Sequence, residues 1–210
     1  MLATSPVGPV LALVDVTGRE TTHAANLAGE PRGSLVFSDT VAAGALLTDR
    51  QAGELRARYA LARSVQLAAA LEQVLAWTVQ YAGERQQFGR PLGRFQAIQM
   101  QLAEMAGAVT AVTALTDAAV QALDRGENVV LAAAAAKVRA GIAVEEVARR
   151  AHQVHGAIGF TQEHKLHHLT RRCWSWRDEA GSDLAWSRVL AAGLLADGAD
   201  ELWPALTRVV

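Results

Sequence analysis

From about Gln51 onward the apolar residues recur at helical spacing over stretches too long for anything but extended helices. Leu67, Leu71, Val74, Leu75 and Thr78 fall on one helical face, and Ile98, Leu102, Met105, Val109 and Val112 repeat at intervals of four and three, continuing through Leu115 and Ala119. Arg125, Gly126 and Glu127 read as a turn, with Asn128 a candidate N-cap for an alanine-rich helix running towards His155. Alanine is the best helix former and lets neighbouring helices approach closely. Gly156, Ala157, Ile158, Gly159 and Phe160 break the pattern, and a short polar segment rich in His and Arg follows. Ser182 with Asp183 can cap a last helix whose Trp186, Val189, Leu190, Gly193 and Leu194 share a stripe. The pattern predicts four principal helices.

Residues 1–50 read differently. GPVLALVDV and GSLVFSDTV are short apolar runs punctuated by Gly, Pro and Asp, which predicts two or three strands. So few strands are marginal alone in water, so this segment must pack on the helices or on a partner chain. The expected division is a partial β-domain over 1–50 and a helical domain over 51–210, with no internal repeat or low-complexity linker.

Several function classes are disfavoured by composition. With 20 basic against 21 acidic groups, the 210-residue chain carries no charge bias towards nucleic acid, and its length suits one domain with or without an appendage. The longest uncharged alanine-rich run, Asn128 to Ala136, is too short to span a bilayer, so no membrane role is expected. The single cysteine, Cys173, cannot form an internal disulfide, and Val10 to Val14 stops at Asp15 with no basic residue before Arg19. A cytoplasmic location is therefore the default expectation.

Four residue clusters invite chemistry. His164 and His168 are four apart, as two imidazoles on one metal would be on a helix, but HExxH is absent and no third ligand is placed, so a polar helix surface is the preferred reading and no metal is expected. Cys173 sits in no recognised nucleophile motif and reads as a packed thiol. TRRCWSWRDE interleaves Arg171, Arg172 and Arg177 with Trp174 and Trp176, which reads as a helix with one solvated and one packed face rather than a nucleic-acid surface. The fourth is YAGERQQFGRPLGRFQAIQMQLAEM, Tyr81 to Met105. Its Arg85 offers a planar fork of donors suited to phosphate, Gln87 can hydrogen-bond either way, and Phe88 with Gly89 presents a flat apolar contact beside exposed backbone.

Together with QVHGAIGF, Gln153 to Phe160, this loop resembles the C-terminal half of the flavin-dependent acyl-CoA dehydrogenases. The order continues through HQVHGAIGFTQEHKL and RRCWSWRDEAGSD, so the likeness runs over about residues 50–195, and LALVDV to SDTVAAGALLTD resembles the closing strands of that family's middle β-domain. The resemblance implies a mainly α fold, a four-helix up-and-down bundle preceded by a small β fragment, assembled as homo- or hetero-oligomers with FAD across the subunit boundary. It implies that Arg85, Gln87 and Phe88, with Gln96 close by, reach a neighbouring subunit's FAD. Gln153, Gly156 and Ala157 match the turn that approaches its adenosine portion, and Ser182 matches a hydroxyl residue that contacts the chain's own FAD. The family usually has a second glycine where this chain has Ala157.

The implied activity is α,β-desaturation of an acyl-CoA thioester in fatty acid or lipid metabolism, with a carboxylate taking the α-proton and an external electron-transfer acceptor reoxidising the flavin. Ala180 stands in the usual base position, with Glu179 immediately before it, and Tyr59 stands where some members carry the base instead. Glu179 is thus the catalytic candidate; its other reading is helix-terminus chemistry and pairing with nearby Arg groups. A typical member is nearly twice this length, which implies either a fragment or a short subunit completed by a partner. The alternative to an enzyme chain is a non-catalytic subunit that buttresses a partner's FAD site, and a third reading is a related flavin monooxygenase.

Overall fold

The computed structural model describes residues 1–37, 43–196 and 198–203. Three strands, β1 (Leu2–Ser5), β2 (Gly8–Leu13) and β5 (Ala43–Leu46), form an antiparallel sheet in the order β1-β2-β5, with Leu2 opposite Leu11 and Val10 opposite Leu46. A separate hairpin pairs β3 (Thr22–Ala25) with β4 (Pro31–Ser34). The run expected as a strand at GSLVFSDTV contributes only its first residues to β4; its Ser38 to Val41 lie outside the described residues.

Helix α1 (Asp49–Glu84) begins two residues before the expected point, because Thr48 and Gln51 cap each other. Gln51 N donates to Thr48 Oγ1 (3.2 Å), and Thr48 N donates to Gln51 Oε1 (2.9 Å), which satisfies two otherwise orphaned donors. At 36 residues α1 is the longest element, roughly 54 Å at 1.5 Å per residue. Then come a two-residue ladder of β6 (Gln86–Gln87) with β7 (Arg90–Pro91), α2 (Gln96–Asp124), α3 (Val130–His155), a 3₁₀ turn over Gly156–Phe160, α4 (Leu166–Asp178) and α5 (Asp183–Leu194). Asn128 stands one residue too early to be the N-cap of α3, which is Val129 without a side-chain cap bond; its Oδ1 accepts instead from Val130 N (3.0 Å) across the preceding turn. Ser182 Oγ accepts from Ala185 N (3.3 Å) at the start of α5.

The stripes expected on α1 and α2 are the core, whereas of the stripe expected on the last helix only Trp186 is buried and Val189 is exposed. Leu67, Leu71 and Val74 of α1 pack with Met105, Val109 and Val112 of α2, Val144 and Val147 of α3, and Leu166 and Cys173 of α4. At the other end Ala57, Ala60 and Leu61 meet Ala119, Ala133, Ala136 and Trp186, and the alanines let the backbones approach. Helix α2 is long and apolar enough to cross a membrane, a test that core helices also meet, and its apolar face is turned into this core.

The helix count needs one correction. The Arg and Trp run after Phe160, read as a two-faced helix but not counted among the four, is α4, and a break at Glu179–Ser182 separates it from α5. Only Leu166, Thr170 and Cys173 of α4 are buried, and that sparse pattern is hidden among charged and aromatic neighbours.

Candidate functional site

The ends of α1 and α3 stand side by side. Ala57 and Ala60 touch Ala133 and Ala136 near their starts, and the Tyr81 ring stacks on His155 (4.4 Å between centroids, 20° between planes) near their ends, so the two helices run parallel. The intervening α2 returns antiparallel, which brings its first residue to the same tip. Arg85, Gln87, Phe88, Gln96, Gln153, Gly156 and Ala157 therefore share one end of the bundle, and all seven are exposed.

Local chemistry shapes each part. Arg85 ends α1, its N–H donating to Tyr81 O (2.8 Å) while its carbonyl accepts from Leu92 N (2.8 Å). The chain then reverses through Phe88 (φ 51°) and Gly89 (φ 76°), the pair of left-handed residues that a tight hairpin turn requires. The Phe88 ring is 91% exposed, held only edge-on to Phe95 (6.3 Å), whose face Arg90 covers (4.1 Å). Among the described residues the side chains of Arg85, Gln87, Gln96 and Gln153 make no hydrogen bond, so their donors and acceptors face outward.

The turn after α3 is glycine for a conformational reason. Gly156 has φ 65° and ψ −147°, a region that side chains other than glycine's rarely enter, although an added Cβ would meet nothing within 4 Å. Beside it lies an open groove of about 390 Å³ lined by Arg149, His152, Gln153, Gly156, Phe160 and Trp174. His152 stacks on Phe160 (4.2 Å), its Nε2 meets Thr170 Oγ1 (2.9 Å), and its buried Nδ1 has no partner among the described residues. Burial, then the neighbouring His155, His167 and His164, holds the His152 imidazole below its usual range.

These residues fall inside a region, 48–195, that matches the model of the acyl-CoA dehydrogenase C-terminal domain. The chain belongs to the acyl-CoA dehydrogenase family. Its relatives include the caffeyl-CoA reductase-Etf complex subunit CarC of Acetobacterium woodii, 32% identical over 117 residues, which are 56% of this chain and 31% of that one. The acyl-CoA dehydrogenase IpdE2 of Mycobacterium tuberculosis is 36% identical over 103 residues, 49% of this chain and 31% of the relative. A solved variant of the Tcur3481-Tcur3483 steroid ACAD superposes with a TM-score of 0.85 at 29% identity, covering 95% of this chain and 55% of that one. The chain thus matches about a third of the length of the two curated relatives and about half of the solved structure.

Two of the residues assigned by resemblance stand elsewhere. Ser182 and Glu179 lie in the α4–α5 turn, which meets α3 at Lys137, sixteen residues before Gln153 and so roughly 24 Å down the helix. The Glu179 carboxylate is not open: Arg32 of β4 and Arg63 of α1 both pair with it, and Asn26 Nδ2 approaches Oε1 (3.4 Å). Neighbouring Glu30 accepts from Asn26 Nδ2 (2.8 Å) and Arg32 Nη2 (3.2 Å) within the β3–β4 hairpin, and from Trp176 Nε1 (3.0 Å), which binds the hairpin to α4. Burial pushes the Glu30 carboxyl up, but the hydrogen bonds from Asn26, Trp176 and Arg32 together leave it below its usual value. Arg32, Arg63 and Glu30 were not singled out in the sequence, since only long-range pairing across the hairpin marks them.

The remaining candidates are placed plainly. His164 precedes α4 and shares no helical face with His168, which packs instead against His167 (3.9 Å); among the described residues no group of three or more ligand side chains could hold a metal ion. Burial pushes the Cys173 thiol up to about 12, as a packed thiol requires. Tyr59 is exposed on α1, with the Arg63 guanidinium 5.7 Å from its ring centroid.

Proposed function

We propose that this chain completes an FAD site with a partner subunit, in a homo- or hetero-oligomeric assembly that desaturates an acyl-CoA thioester between its α and β carbons. The observation that carries this reading is the gathering of Arg85, Gln87, Phe88, Gln96, Gln153, Gly156 and Ala157 at one tip, with the side chains of Arg85, Gln87, Gln96 and Gln153 unpaired among the described residues. Residues in that state suit FAD chemically. Arg85 would hold pyrophosphate through charge-assisted bonds, bare backbone at Gly156 and the Gln153 amide would meet the adenosine portion, and Phe160 and Trp174 offer aromatic walls. Ala157, which stands where the family usually has a second glycine, is exposed. Ser182, roughly 24 Å away, would face a different FAD, the chain's own, as expected of a clamp shared across a subunit boundary.

When bound, FAD supplies the acceptor for the hydride leaving the thioester's β-carbon. The α-proton needs a carboxylate. Glu179 is the carboxylate beside the expected position, while Ala180 itself offers none. A second reading, a non-catalytic chain that buttresses a partner's flavin, is favoured by one observation: Arg32 and Arg63 already occupy Glu179. The name of the Acetobacterium woodii relative, a subunit of a reductase-Etf complex, supports an electron-transfer partner for this assembly.

The test is purification of the native particle, with native mass spectrometry for FAD and companion chains and acyl-CoA-dependent reduction of an electron-accepting dye. Flavin and dye reduction are expected. A particle that takes up no FAD would refute the proposal. Unchanged turnover in Glu179→Gln would select the buttress, and lost turnover with retained FAD would select Glu179 as base.

A further inference from the structure

Lys137 stands in α3 with none of its surface exposed. A buried ammonium is tolerated only when its donors are satisfied. Here Nζ donates to the main-chain oxygen of Arg177 and to that of Gly181 (2.8 Å). The first belongs to the last turn of α4, where helix carbonyls have no partner within the helix. The second lies just before the Ser182 cap of α5.

The chain between these two carbonyls is hard to hold. Ala180 (φ 61°) and Gly181 (φ 95°) are consecutive left-handed residues, and an alanine keeps that conformation only where its surroundings fix it. Trp186 supplies one tether, its Nε1 donating to Ala180 O (2.7 Å). A Cβ added at Gly181 would stand 2.8 Å from that same indole nitrogen, so the turn rests tightly on the ring. Outside, Arg32 and Arg63 hold Glu179. Each of residues 179, 180 and 181 thus has a tether of its own, and Lys137 is the one that reaches both sides of the turn.

We propose that Lys137 is the positioning residue of the α4–α5 turn, its two donors fixing the main chain on either side of Glu179 and Ala180 and so setting where the Glu179 carboxylate and the Ser182 hydroxyl stand. The hold works through hydrogen bonds, because two carbonyls need only the two N–H donors that even a neutral amine retains. Burial draws the ammonium down to about 8, against the pull of Asp178 and Asp183 and with the push of Arg177 and Arg63. The link from Ser182 to a flavin rests on the function proposed above; the hold on the turn does not.

The sequence contains two lysines, Lys137 and Lys165, so ¹⁵N-lysine labelling of the full chain gives two side-chain signals. Lys137 ζ-protons should be protected from exchange, while those of Lys165, stacked over Trp77, should not. In Lys137→Met, which keeps the stem and removes the donors, the Trp186 indole proton and the Ala185 amide should exchange about ten-fold faster, with α3 protection around Val144 unchanged. Equal exchange of the two lysines, or an unmoved Trp186 indole in the variant, would overturn the assignment; the first measurement needs no variant. In the assembled particle, a loosened turn with undiminished FAD affinity would sink the flavin role of Ser182 and leave that of Lys137 standing.

Discussion

The tip of the bundle and the α4–α5 turn carry similar polar residues in opposite states. At the tip, Arg85, Gln87, Gln96 and Gln153 expend no side-chain hydrogen bonds on the chain among the described residues, and Phe88 leaves its ring in solvent. In the turn, Glu179 is paired twice, Ala180 and Gly181 have their carbonyls bound by Trp186 and Lys137, and Ser182 caps a helix. Groups that hold a fold are satisfied within it, whereas groups that await something else are not. Position in a family motif does not separate the two states; partners do.

The sharpest way to break this contrast is at Glu179. The Glu179 carboxylate and the Arg63 guanidinium are only 20% and 18% exposed, so Glu179→Gln leaves a largely buried cation without its counter-charge, with Gln66 Oε1 (2.7 Å) its remaining hydrogen-bond partner. A loss of about 2 kcal/mol is expected in urea or thermal unfolding, less than for a fully buried pair because water still reaches both groups. An unchanged midpoint would return Glu179 to the class of free groups.

Gly156 sharpens the other half of the comparison. Its backbone conformation excludes side chains while its surroundings have room, so Gly156→Ala should cost about 1–2 kcal/mol through strain alone. No loss would mean that the turn adopts another conformation.

Smaller still is the pH response of the tip. His152, His155 and His164 are all held below their usual range, chiefly by burial; the hydrogen bond from His155 to Ala151 O opposes this, and neighbouring cations (His155, His167 and His164 around His152, His164 near His155, Lys165 and His167 near His164) add to it. Their folded values lie under the unfolded value of about 6.5, so as pH falls below that point the unfolded chain binds protons first. Stability from these groups is full above about pH 6.5 and declines as pH drops towards the folded values. Thermal melts over that interval should show a falling midpoint, and His155→Gln should flatten it.

Much of this arrangement is legible in the sequence. The 3–4 periodicity fixes α1 and α2 because burial selects one face of each helix, and alanine content marks α3. The Ser182 cap is visible because capping chemistry is local, while the N-cap expected at Asn128 falls one residue on, at Val129. Helix α4 is legible only over its second half, where the interleaved Arg and Trp of TRRCWSWRDE read as a two-faced helix; with only Leu166, Thr170 and Cys173 buried, its stripe is too thin to count as a principal helix. The tip residues were drawn together by resemblance, and only the parallel run of α1 and α3 explains why residues some seventy apart share a surface. The pairing of Arg32 and Arg63 with Glu179 had no local signal at all, because it depends on where the hairpin docks.

The central claim is that the free groups at the tip form one half of an FAD clamp. Arg85→Ala tests it most directly, because the side chain makes no hydrogen bond with the described residues and its removal should alter stability by less than about 0.5 kcal/mol. In the reconstituted assembly, FAD affinity measured by flavin fluorescence titration should fall about ten-fold or more, as loss of charge-assisted bonds to a phosphate requires, with the melting midpoint of the isolated chain unmoved. An assembly that binds FAD equally well with and without the Arg85 guanidinium would contradict the account.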